Sequence, residues 1–221
     1  MELYLAQPEE WESDGGLGNR QVQALQTWLR TTGLRHKQGE TWLAGLFRRL
    51  GTDDLLPWQY LWVNVTHGFA TVGWYACRLG LGEWSTTELV GLLLRDVPHL
   101  SPRTAKNAVA ELVGTLERTP VGAALGQGEV RAGRPRSLRR TGLPEPATGA
   151  LLRSLALLWQ AERRRALPLS AKLAWPWLVF GCKRDSVLLA LDERCRQWLD
   201  IGDETISLRG DVEEWVYADL R

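Results

Sequence analysis

Ser85-Thr-Thr-Glu-Leu-Val-Gly-Leu-Leu-Leu-Arg-Asp-Val-Pro-His-Leu-Ser-Pro-Arg-Thr-Ala-Lys-Asn107 holds two helix starts separated by one helix stop. Ser85 and Glu88 have the spacing of a capping box, in which each side chain takes the other's orphan amide at a helix N-terminus. Leu89, Leu92, Leu93 and Val97 then supply an apolar face, and Pro98 stops the helix. Ser101 restarts one as N-cap, with Pro102 at the first helical position. Ala105, Ala108, Val109, Leu112 and Leu116 point to the core of that second helix. Two capped helices across a short turn predict a helix-turn-helix. The second leaves Arg103, Lys106, Asn107 and Ala110 outward near its N-terminus. Recognition helices place donors there to read base edges; a merely solvated helix face has the same pattern.

Downstream, Gly122 to Gly149 is rich in Gly, Pro and Arg and carries Arg131, Arg134, Arg136, Arg139 and Arg140. It reads as a β-hairpin wing or an open loop. Its cations would neutralise phosphates, or serve as a solubilising linker or a protein-docking loop. A helix is expected over Ala147 to Arg165, ended by Pro168, and a short one capped by Ser170 and containing Leu173. Lys183 and Arg184, a weaker second basic patch, precede a helix with Val187, Leu188, Leu191 and Cys195 inward. Leu199 and Ile201 alternate against Ile206 and Leu208 across Gly202–Thr205, the pattern of a hairpin. Val212 to Leu220 reads as a closing helix.

Upstream, Leu3–Leu5 reads as extended and Asp14–Gly18 as a turn. Val22, Leu25, Trp28 and Leu29 predict a helix closed by Gly33. A second helix carries Trp42 to Leu50, and a third starts at Pro57 with Trp58, Leu61, Trp62 and Val65 on one face. The expected fold is therefore mostly α, with tandem helix-turn-helix or winged-helix units and small β-hairpin wings. Three segments are expected: 1–82, an N-terminal helical unit; 83–146, the helix-turn-helix with its Arg-rich loop; and 147–221, a winged-helix-like unit.

The bulk composition bounds the function. The 221-residue chain is 44% hydrophobic and 24% charged, too apolar for a disordered chain. No apolar run reaches the ~18 to 20 residues of a membrane helix, and Met1–Leu5 lacks a basic leader, so a cytoplasmic location is expected. Cys77, Cys182 and Cys195 are odd in number and widely spaced, which favours buried thiols over disulfides or a zinc knuckle. Net charge is only +1, although all but four of the 27 basic residues are Arg. Most of the twelve Trp read as core anchors, with one or two available for a docking surface. Neither a phosphate-binding Gly-Lys-Ser/Thr loop, nor His-Glu-x-x-His, nor Gly-x-Ser-x-Gly occurs. The chain is therefore expected to be no enzyme, to bind no metal and to need no cofactor.

Several segments in order carry a resemblance: Trp11 to Gln21, Trp28 to Leu34, Trp58 to Asn64, Trp74-Tyr75, Ser101 to Asn107 and Leu116 to Gly122. Together they resemble the domain-of-unknown-function family numbered 4007. They also resemble the C-terminal region of phosphoadenosine-phosphosulfate-reductase-like proteins found beside DNA sulfur-modification and phage-defence genes. The resemblance implies helix-turn-helix or winged-helix modules working beside a DNA-modifying or DNA-restricting machine. It transfers no catalytic residue. The expected partners are DNA and another protein of such a complex; a protein-docking subunit that never touches DNA is the competing expectation.

Overall fold

The structure, a computed structural model, describes residues 18–36 and 39–209. The extended Leu3–Leu5 segment, most of the Asp14–Gly18 turn and the helix expected over Val212–Leu220 fall outside that range. Helix α1 (Asn19–Thr31) buries Leu29 and ends before Gly33. Two short paired strands, β1 (Arg35–His36) and β2 (Gly39–Glu40), lead to α2 (Trp42–Leu50), whose N-cap Thr41 accepts from the Ala44 amide. Asp54 caps α3 (Leu55–Gly68) by accepting from the Leu56 amide at 2.8 Å.

The spacing of its apolar residues predicts one buried face for α3. In the structure every residue from Pro57 to Thr66 except Gln59 is buried. The reason is packing on several sides, by α1, α2 and the long helix α8 (Thr148–Glu162). Aromatic edges fix that environment: Trp42 meets Tyr60 at 4.8 Å and Phe47 meets Trp58 at 5.0 Å, both edge to face. At the end of α3, Arg153 of α8 donates to Asn64, which in turn donates to the Thr32 carbonyl. Burial, with Arg153 nearby, holds the His67 pKa down to about 4.

Helix α4 (Ala70–Trp74) runs into a π-helical turn, Tyr75–Leu79. Then comes β3 (Gly82–Ser85), α5 (Thr86–Asp96), α6 (Pro102–Glu117), a short α7 (Pro120–Ala123), β4 (Glu129–Arg131) and β5 (Ser137–Arg140). The strands form one antiparallel sheet in the order β3-β5-β4. Gly122 in α7 sits where an added Cβ would lie 2.1 Å from the Leu116 carbonyl oxygen, so the glycine here serves close backbone packing.

The C-terminal part repeats this layout. After α8 come β6 (Ala166–Pro168), α9 (Pro176–Phe180), α10 (Arg184–Cys195), β7 (Leu199–Ile201) and β8 (Thr205–Leu208), with sheet order β6-β8-β7. The hairpin expected from Leu199 to Leu208 is present, Ile201 opposite Ile206. Two local expectations are corrected. The helix expected to reach Arg165 ends at Glu162, because Arg163 turns into the left-handed region at φ 54° and residues 166–168 pair with β8. The short helix expected around Leu173 lies later, at Pro176–Phe180; Ser170 and Leu173 sit in irregular chain before it.

The segments share one core. Trp62 of α3 donates its indole N–H to the Val179 carbonyl at 2.7 Å. Gly142 and Gly181 meet so closely that a Cβ on Gly142 would stand 2.0 Å from the Gly181 carbonyl oxygen. The resulting architecture is mostly helical, with small antiparallel sheets. No helix among the described residues is long and apolar enough to cross a membrane.

Candidate nucleic-acid interface

The capped helix pair forms as its sequence dictates. The Ser85 amide donates to Glu88 at 2.7 Å while Ser85 Oγ accepts from the Glu88 amide at 3.1 Å. Those hydrogen bonds from Ser85 hold the Glu88 carboxyl below the usual range. Ser101 Oγ accepts from the Thr104 amide at 3.1 Å and Pro102 opens α6. Leu89 and Leu93 of α5 are buried, as are Ala105, Val109, Leu112 and Leu116 of α6. Trp74 reaches across to Asp96 at 3.0 Å and ties the end of α5 to α4.

That packing leaves Arg103, Lys106, Asn107 and Ala110 exposed on one side of α6. The first turn of α6 contains no acid. A helix N-terminus carries partial positive charge, so two cations near it lower helix stability unless an anion is supplied from outside. None of Arg103, Lys106 and Asn107 has a side-chain partner among the described residues.

The Arg-rich stretch forms the β4–β5 hairpin, and its arginines divide. Arg134 and Arg139 are exposed. Arg131 pairs with Glu83 at 3.3 Å and lies 3.6 Å from Glu129. Arg136 pairs with Glu117, at the end of α6, at 3.0 Å. These pairs are solvent-exposed and weak, so a phosphate can compete for either cation.

Arg140 departs from the expectation of a DNA contact. Its side chain is buried at 2% exposure. The guanidinium donates to the carbonyls of Ala76 (2.5 Å), Leu178 (2.8 Å) and Val179 (2.9 Å) and to Gln127 Oε1 (3.0 Å). Gln127 is itself buried and donates to the carbonyls of Leu125 and Phe180. Arg140 also lies 5.7 Å from the centre of the Tyr75 ring. With its donors engaged inside, it joins the π-helical turn, β5 and α9 instead of facing solvent.

The second predicted patch is exposed but differently placed. Lys183 is the N-cap residue of α10, and Arg184 lies over the Trp177 ring at 5.6 Å. Asp185 occupies the first turn, so this helix start supplies its own anion.

None of Cys77, Cys182 and Cys195 is in a disulfide. Burial pushes both Cys77 and Cys182 up to about 11, which keeps them protonated and weakly nucleophilic near neutrality. Among the described residues no three His, Cys, Asp or Glu side chains group as a metal-ion set.

These features define a mostly helical chain that presents a basic helix start beside a basic hairpin. No family model and no curated protein sequence matches the chain. Among solved structures, the chain is similar to the magnesium ion-bound crystal structure of SspB. That likeness has a TM-score of 0.63 at 16% identity and covers 97% of this chain and 80% of SspB. At that identity it concerns the fold alone.

Proposed function

We propose that this chain is a DNA-associated, non-catalytic accessory subunit of a DNA-modification or phage-defence system. Its two units with three-stranded sheets are winged helices, and the first contacts duplex DNA through α6 and the β4–β5 hairpin. The observation that carries this is the start of α6, where Arg103, Lys106 and Asn107 stand without side-chain partners beside an acid-free helix N-terminus. Such a site favours a phosphate and offers Arg and Asn for base edges. The order strand–helix–helix–strand–strand, with the short α7 added in the first unit and the first strand pairing the last in both, supports the winged-helix reading. The resemblance of the sequence to the family numbered 4007 supplies the cellular setting. The likeness to SspB is compatible with it as a matter of fold.

The test is binding to a labelled mixed-sequence duplex at about 50 and 200 mM salt. Affinity should fall steeply with salt, and Arg103→Ala with Lys106→Ala and Asn107→Ala should reduce it about tenfold or more. Absence of binding by the unaltered protein at low salt would overturn direct DNA contact.

A second reading, a protein-docking subunit without DNA contact, is favoured by one observation. Arg131 and Arg136 are already paired with Glu83, Glu129 and Glu117, which lowers the net charge of the hairpin. Under that reading assembly with a partner protein would be insensitive to salt and to the α6 substitutions.

A further inference from the structure

Alongside α6 runs a groove of about 880 Å³, bounded by α1, the bend between α3 and α4, and the C-terminal half of α6. That volume is within the range of ligand sites. Trp28, Phe69 and Leu112 line it, Arg20 stands at it from α1 and Arg118 from the C-cap of α6, and Glu111 is the one acid among its lining residues.

Independent observations point to the same ligand chemistry. Helix α1 has no acid in its sequence, and Arg20, Gln23, Thr27 and Arg30 are exposed on it at the spacing of a single face. The Arg118 guanidinium folds back over Gly114, where an added Cβ would lie 2.7 Å from Nη2. The Arg20 and Arg118 side chains make no ion pair with any described residue. Trp28 is half-buried, and its indole N–H has no acceptor among the described residues. A partly covered indole that shares one groove with two guanidinia lacking an ion pair among the described residues has the makings of a stacking platform with phosphate clamps.

We propose that this groove holds unpaired nucleotides of a single nucleic-acid strand. Trp28 stacks on a base, and Arg20 and Arg118 hold the flanking phosphates. Glu111 would repel a phosphate but accept from the exocyclic amino group of a base, so it belongs beside the base and not the backbone. A paired base cannot present its face to Trp28, which separates this site from the duplex surface on the N-terminal half of α6. The proposal deepens the DNA-associated reading and rests on it, yet the two surfaces use different residues and can fail separately.

The test compares a labelled single-stranded 12-mer with the same sequence as a duplex, at about 50 mM salt. Arg20→Gln with Arg118→Gln should weaken single-strand binding about tenfold or more and leave duplex binding within about threefold. Trp28→Leu, which keeps apolar bulk, should cost the strand about tenfold. Arg103→Ala with Lys106→Ala and Asn107→Ala should do the reverse. Circular dichroism establishes that each variant is folded, and the Arg→Gln pair, away from the core, decides the matter if Trp28→Leu does not fold. Unchanged single-strand affinity in the Arg20→Gln, Arg118→Gln variant overturns the proposal. So does failure of the unaltered protein to bind the strand, including the case in which its own residues fill the groove. Duplex binding without strand binding sinks this inference alone; strand binding lost in the groove variants, without duplex binding, sinks the duplex reading alone.

Discussion

In the middle of the chain, the unit from β3 to β5 turns its cations outward: Arg103 and Lys106 at an acid-free helix start, Arg134 and Arg139 on the hairpin. In the C-terminal unit the strand order is the same, but the charges are reversed or cancelled. Asp185 sits in the first turn of α10, Arg184 is drawn over Trp177, and the β7–β8 turn carries exposed Asp203 and Glu204. The helices differ as well. Ser85 caps α5 with its side chain, whereas α9, with Trp175 as N-cap residue, has no side-chain cap. Topology sets where a helix start and a hairpin turn stand; the side chains there decide what either can attract. The proposed reading therefore assigns the anionic partner to the middle unit, whose helix start lacks an acid of its own.

That contrast can be broken at several points. The largest effect is expected at the joint between the units. Arg140→Met should lower unfolding stability by about 3 to 5 kcal/mol, because Gln127 and several buried carbonyls lose their donor; urea denaturation measures it. Leu208, the last residue of β8 as Arg140 is of β5, should tolerate Leu208→Met with little change.

Next is the acid response at the packing of α3 on α8. His67 titrates near 4 in the fold against 6.5 for an ordinary histidine. As pH falls through that window the unfolded chain takes up the proton first, so stability drops between about pH 6.5 and 4, by about 3 kcal/mol at most. His67→Gln should remove that component, seen as a smaller difference between urea midpoints at neutral and acid pH.

The charge contrast itself is tested by DNA affinity. The triple α6 substitution should weaken duplex binding about tenfold or more, while Lys183→Ala with Arg184→Ala should change it less than about threefold. Equal losses from both would erase the distinction between the units. The smallest effect is at the cap: Ser85→Ala should cost about 1 kcal/mol, read as a shift in the thermal midpoint.

Much of this architecture is encoded locally. The Ser85–Glu88 box, the Ser101-Pro102 start and the alternation from Leu199 to Leu208 depend on residues a few positions apart, and each appears in the structure where its spacing puts it. The features that the sequence conceals depend on long-range partners. Nothing near Ala166 announces a strand, because its pairing partner is Ser207. The even burial of α3 depends on helices that precede and follow it in the chain, α1, α2 and α8. Arg131 and Arg136 look free until Glu83 and Glu117 are brought beside them. Arg140 is different, since a local signal exists. Strand residues two apart share a face, and Leu138 is an apolar core residue, so Arg140 has to point inward with it. The charge of the stretch hides its period.

The Arg140 hub also governs how this architecture can be taken apart or recombined. One guanidinium takes its acceptors from the turn after α4, from Gln127 and from α9, so neither half contains a complete set. Severed near residue 146, one fragment would keep a buried cation and the other the Leu178 and Val179 carbonyls it satisfied. The units repeat in outline but not in independence. Exchanging either one between related chains requires carrying both sides of that joint together.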